Sequence, residues 1–151
     1  MAHKDSVKIL FYLQKDEDGY PPVEVESVWA IPKERDYEIN SIPFYVKGIA
    51  LGDLVRADPA EDGALEFRSV LRRSGHSTYR ILLLKKDTSD PQKTIDELIR
   101  LGLSVESDLD ILLSVDVPPD IDESFIRSYL FKGIDEGRWE VEEAFRYKLA
   151  Q

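Results

Sequence analysis

The chain has 151 residues, with 30 acids against 20 bases, a formal charge of −10 and no cysteine. A chain of this length can bury a core without staples, and the lack of thiols excludes a disulfide framework, a cysteine nucleophile and a zinc–thiolate centre. Its negative field repels nucleic acid and anionic membrane and attracts basic partners.

Near the start, the apolar run at residues 9–13 is too short for a signal-peptide core or a membrane span, so the expectation is a cytoplasmic protein without membrane contact. Residues 7–14 are β-rich and run into the turn-forming DEDGYPP. Extended structure resumes at 23–31, with Val23, Val25 and Ser27 on one side and Glu24, Glu26 and Val28 on the other. Residues 37–46, 53–57 and 65–73 read as three further strands, and Gly48 and Gly52 bracket the turn into Asp53. Five short strands punctuated by Gly, Pro and Asp predict a small antiparallel, β-barrel-like part over residues 1–78.

The second half has another rhythm. Residues 79–86 form an apolar strand; Asp90 and Pro91 then supply an N-cap and a first helical residue, Ile95, Leu98 and Ile99 make an apolar face, and Gly102 ends the helix. Two strands at 103–108 and 111–117 join around Asp-Leu-Asp. Asp120 with Glu123 three residues on has capping-box spacing; Ile121, Phe125, Tyr129 and Leu130 would face inward, with Gly137 at the C-terminal cap. Residues 138–146 alternate as a half-buried strand, with Trp139 and Val141 on one side and Glu140 and Glu142 on the other. This βαββαβ order predicts a ferredoxin-like part over 79–151, in an α+β fold overall.

Charge is unevenly spread, with fifteen acids and thirteen bases up to residue 89 and fifteen acids and seven bases after it. Between Phe67 and Lys86 stand Arg68, Arg72, Arg73, Arg80, Lys85 and Lys86 with no acid, the one anion-attracting band. Its strand RILLLKK lacks the aromatics that stack on RNA bases, so no nucleic-acid partner is expected.

The segment SGHSTYRI offers reaction chemistry: Ser74 or Ser77 as nucleophile, His76 as base, Arg80 to hold an anion, and Asp53 to orient the imidazole. These types suit a small hydrolase or transferase acting on an anionic or nucleotide substrate. The opposing reading is a glycine-bearing turn at Gly75 whose hydroxyls satisfy backbone groups. Glu24 and Glu26, two apart, could share a proton or hold a metal, but His3 is remote and metal-ligand spacings are missing, so no metal and no cofactor are expected. Trp29 and Trp139 read as core or rim anchors.

The acid-rich second half points instead to docking. Asp120, Asp122, Glu140 and Glu142 are the candidate contacts for a basic protein partner, which a negative surface steers at high rate. A third reading is a small-ligand sensor with Pro43, Phe44, Gly48 and His76 at the barrel mouth.

PPVEVESVWA, IPFYVKGIALGDLV and SGHSTYRI, in that order, resemble the bacterial domain of unknown function 4265 family, over a stretch from about Val7 to the last strand. The resemblance implies a small bacterial cytoplasmic protein and brings no catalytic residue. It also implies that some relatives are encoded beside polymorphic toxins, where such a protein serves as the immunity partner that occludes a basic toxin domain.

Overall fold

The computed structural model describes residues 5–84, 90–109 and 111–150. His3, Lys85, Lys86 and Asp110, invoked above, lie outside the described residues. The chain divides into two compact units, Met1–Ser74 and Gly75–Gln151. Sheets dominate in both, and the class is α+β with predominantly antiparallel pairing.

The first unit holds β1 (Val7–Tyr12), β2 (Val25–Lys33), β3 (Asp36–Ile39), β4 (Leu54–Pro59) and β5 (Leu65–Arg72). Successive strands pair antiparallel, and the sheet closes into a ring where β5 returns to β1. That closing pair, Ile9 with Leu65 and Leu10 with Glu66, is parallel. Parity dictates it: in an up-and-down order of five strands the first and last point the same way, so a wholly antiparallel ring is unavailable. Irregular register between β4 and β5, at Leu54/Val55 and Arg56/Ala57, adds the bending that closure needs. The ring encloses Ile9, Phe11, Val28, Ala30, Ile39, Ile49, Val55 and Ala57. Trp29 stands at the rim, 36% exposed, under the Lys8 ammonium.

β3 is shorter than the strand expected over 37–46. It ends at Ile39, and residues 40–53 form no helix or strand. Pro43, which has no N–H for a ladder, lies where that strand would have continued.

The second unit runs β6 (Ser77–Leu83), α1 (Pro91–Arg100), β7 (Ser104–Asp108), β8 (Leu112–Val117), α2 (Glu123–Asp135), β9 (Trp139–Phe145) and α3 (Tyr147–Ala150). Its sheet has the order β7-β8-β6-β9 with every pair antiparallel. Tyr79, Ile81, Leu113, Val115 and Trp139 from the strands pack with Leu98, Ile126 and Leu130 from the helices.

Two helix details depart from expectation. In α1, Asp90 caps by accepting Gln92 N–H and Pro91 follows, but Ile99 is 52% exposed while Thr94 and Leu98 are buried. In α2 the N-cap is Asp122, not Asp120, and it accepts Ser124 N–H. Asp120 belongs to the turn that Pro118 and Pro119 initiate, closed by Ile121 N–H on the Pro118 carbonyl at 3.2 Å. The helix therefore starts two residues later, its buried face becomes Glu123, Ile126, Leu130 and Gly133, and Phe125 points away from the core at 56% exposure. Among the described residues no helix is long and apolar enough to cross a membrane.

Candidate functional site

A 14-residue stretch without regular structure, residues 40–53, is unusual in so small a unit, and loops of about 12–15 residues or more are commonly functional. Two carboxylates pin it. Glu26 shares strand parity with Val28 and Ala30, whose side chains face the core, so its carboxylate meets the strap from below. Glu26 Oε2 accepts Phe44 N–H at 2.6 Å, and Oε1 accepts Tyr45 and Val46 N–H at 3.0 and 2.8 Å. Three successive backbone donors thus converge on one anion. Glu24 is exposed and contributes its backbone carbonyl to Leu13 N–H, so the two glutamates have separate jobs.

Asp53, fully buried, holds the other end. It accepts Ala50 N–H at 3.0 Å, Ser74 N–H at 2.9 Å and Arg73 Nη1 at 3.1 Å. Arg73 Nη1 also donates to the Gly48 carbonyl at 2.6 Å, and Ser74 Oγ to the Leu51 carbonyl at 2.6 Å. Asp53 and Ser74 therefore do meet, around backbone groups.

Under the strap lies a cavity of about 380 Å³ lined by Phe11, Val46, Lys47, Ile49, Phe67, Val70 and neighbours. A second, of about 270 Å³, shares Tyr12, Val46 and Lys47 with it and extends to Tyr20 and Tyr45. Those two tyrosines meet edge-on at 6.2 Å. Tyr12 O–H donates to Glu66 Oε2 at 2.5 Å, a bond that raises the phenol's pKa.

His76, Ser77 and Arg80 belong to the second unit, and each has its own partner there. His76 Nδ1 lies 2.7 Å from Oδ2 of the fully buried Asp116, which takes the orienting position considered for Asp53. Ser77 Oγ accepts Tyr147 N–H at 3.0 Å. Arg80, buried, donates from Nε to Glu142 Oε1 at 2.7 Å, directly across the β6–β9 ladder. Gly75 makes the expected turn, with φ +95° and space for a Cβ only 3.3 Å from Pro119 Cβ.

Sequence reasoning gave Glu123 only a capping role, whereas it is the hub of a buried cluster. Tyr79 O–H and Arg146 Nε donate to its Oε2 at 2.5 and 2.7 Å. Arg127 donates to Tyr79 Oη at 3.3 Å and pairs with Glu143. Burial works to raise the Glu123 carboxyl, but the bonds from Tyr79 and Arg146 and the guanidinium charges outweigh it and hold it below the usual range. Burial, with the bond to Glu123, pushes Tyr79 up to about 12.

Of the expected docking residues, Asp120, Asp122 and Glu140 are exposed, while Glu142 is half-buried on Arg80. The Ser124 hydroxyl and N–H hold Asp122 below the ordinary carboxyl range.

None of the curated proteins matches this chain. A similar solved structure is described as a novel crystal structure of a hypothetical protein from Neisseria gonorrhoeae, with TM-score 0.73, 22% identity and 96% of each chain covered. At that identity the likeness shows the fold. The family model described as Domain of unknown function (DUF4265) matches residues 26–141, from the Glu26 clamp through the strap and the His76 turn into β9. The chain belongs to the DUF4265 family.

Proposed function

We propose that this is a non-enzymatic, acidic binding module that captures a basic protein through its second unit, most concretely an immunity protein that occludes a toxin domain in the cytoplasm. The support comes from the end of α2. Partial negative charge at a helix C-terminus favours cations, and Lys132 stands in the last turn of α2, yet exposed Asp135 and Glu136 close the helix and exposed Glu140 follows on β9. Within the same stretch Phe131 and Ile134 are 44% and 40% exposed, and the Arg127 guanidinium lies over the Phe131 ring. Acids that work against their own helix suit a surface shaped for a partner, and apolar anchors ringed by charge are how interface hot spots are built.

Binding is favoured over turnover because the candidate hydroxyls and guanidinium serve the backbone or the sheet: Ser74 on Leu51, Ser77 on Tyr147, Arg80 on Glu142. A protein partner, in place of nucleic acid or membrane, follows from the charge of −10. The order β7-β8-β6-β9, with α1 and α2 in the β6–β7 and β8–β9 connections, supports a ferredoxin-like assignment for this unit, and the closed ring supports a small barrel for the first.

The test uses the full chain as bait in extracts of the producing cell, beside Asp135→Lys/Glu140→Lys. The expected result is one basic protein held by the wild type, released by salt, lost with the reversed pair, and growth-arresting when expressed alone. Equal retention by both baits, or a harmless partner, overturns the proposal.

A further inference from the structure

We infer that a small cavity at the start of α2 is a binding site for a primary carboxamide on a short aliphatic stem, carried by a free amide or by a glutamine side chain. The cavity measures about 130 Å³. That exceeds the ~30 Å³ of one water and falls short of the roughly 300–1,000 Å³ of drug-sized sites, so it suits a body of about five heavy atoms. Val117, Pro118, Pro119 and Ile121 give it an apolar wall. Two buried polar side chains also line it. Glu123 is 4% exposed; Tyr79 and Arg146 both donate to its Oε2, whereas Oε1 accepts nothing among the described residues and is not sealed from solvent. Ser77 is 3% exposed; its Oγ accepts Tyr147 N–H, and its hydroxyl proton has no acceptor among the described residues.

A buried carboxylate oxygen without a donor costs free energy, and a ligand N–H that reaches Oε1 removes that cost. A ligand carbonyl beside it uses the Ser77 O–H. A carboxamide carries both groups. Charge makes the ligand neutral: the charged residues of the lining are one acid and one base, Glu123 and Lys148. Each is already met, Glu123 by Arg146 and Lys148 by the charge of Asp122. A cation would be repelled by Lys148 and Arg146, and an anion would face Glu123. The cavity lies at the opposite end of α2 from Asp135 and Glu136, so the assignment does not depend on the partner surface proposed there.

The experiment follows backbone amide shifts of the full chain on titration with propionamide and three isosteres: butanone, which lacks the N–H donors, propionate and propionamidinium. Propionamide should bind saturably, with Kd on the order of millimolar, and shift Ser77, Ile121, Glu123 and Tyr147 while leaving Phe131 and Val46 in place. Each isostere should bind about tenfold more weakly or worse. In Glu123→Gln, Tyr79 and Arg146 keep the amide oxygen and the side-chain N–H₂ turns to the cavity. Propionamide should then weaken about tenfold while butanone stays within about twofold; the wild-type titrations decide the matter if that variant fails to fold. N-acetylglutamine methylamide separates the sources: binding as tight as that of propionamide assigns the site to a partner protein's glutamine, and exclusion assigns it to a free amide. Absence of saturable shifts, as for a cavity that takes water alone, would overturn the assignment. So would butanone or propionamidinium binding as tightly as propionamide.

Discussion

Gly133 of α2 lies against the indole of Trp139 on β9, so close that a Cβ at position 133 would stand 2.1 Å from Trp139 Cε2. Trp139 is buried, its Nε1 donating to the Leu130 carbonyl at 2.9 Å and its ring tilted against Tyr129 at 5.8 Å. Glycine inside a helix ordinarily costs about 1 kcal/mol relative to alanine, so Gly→Ala would normally stabilise. Here the sign should reverse: Gly133→Ala is expected to lose about 3 kcal/mol through overpacking. Urea denaturation measures it, and a neutral or stabilised variant would contradict the packing described.

The Glu26 clamp makes a graded prediction. Glu26→Ala strands three strap N–H groups and should cost about 3 kcal/mol. Glu26→Gln keeps an oxygen for Tyr45 and Val46 but turns an amide N–H₂ toward Phe44 N–H, so its loss should be about half as large. Hydrogen exchange at Phe44, Tyr45 and Val46 should accelerate in the same order. Uniform loss of protection across the whole unit, with no excess at those three amides, would mean that Glu26 is not what holds the strap.

His76 separates binding from catalysis. His76→Ala removes the Nδ1 contact with buried Asp116 and should cost about 2 kcal/mol. His76→Asn, whose side-chain amide reaches the same oxygen, should recover part of it. Partner capture should survive in both variants at a temperature where both are folded. Loss of function in folded His76→Asn would favour the hydrolase or transferase reading.

The Tyr79–Glu123 pair predicts a pH profile with two limbs. Glu123 is held below its ordinary value of about 4.3, so its contribution is complete above that pH and is lost as pH falls toward the lowered folded value. Tyr79 is raised from about 10 to about 12, so the fold favours its neutral form. That contribution is complete below about pH 10 and disappears as pH rises to 12. Urea midpoints measured across pH should therefore flatten on the acid side in Glu123→Gln and partly on the alkaline side in Tyr79→Phe, where Tyr129, also near 12, keeps titrating.

The order of elements in the second unit was legible because its signals are local: Asp90-Pro91 opens α1, Gly102 and Gly137 follow helices, and the sequence of β9 alternates. Competing local signals caused the errors. Asp120 and Asp122 both suit a cap, and the choice fell to Pro118 and Pro119, whose turn uses the first. A barrel-like first unit was legible, but its parallel closing pair was not, since pairing of Ile9 with Leu65 leaves no mark in either strand's own pattern. The same distance problem hid the partner of His76, 40 residues away at Asp116. Glu26 was within reach: an acid at the parity of Val28 signals a carboxylate turned inward, which needs donors to meet it.

Ring closure also fixes a timetable for synthesis. β1 is made first, and β2 covers one of its edges early, but the other waits for Leu65 and Glu66. At roughly 5–20 residues per second, that edge stays open on the growing chain for several seconds. An unpaired edge is a template for strands of other chains, and a lysine on it is a common safeguard; Lys8, exposed on β1, fits that role. The first unit is therefore where assistance during translation would matter most.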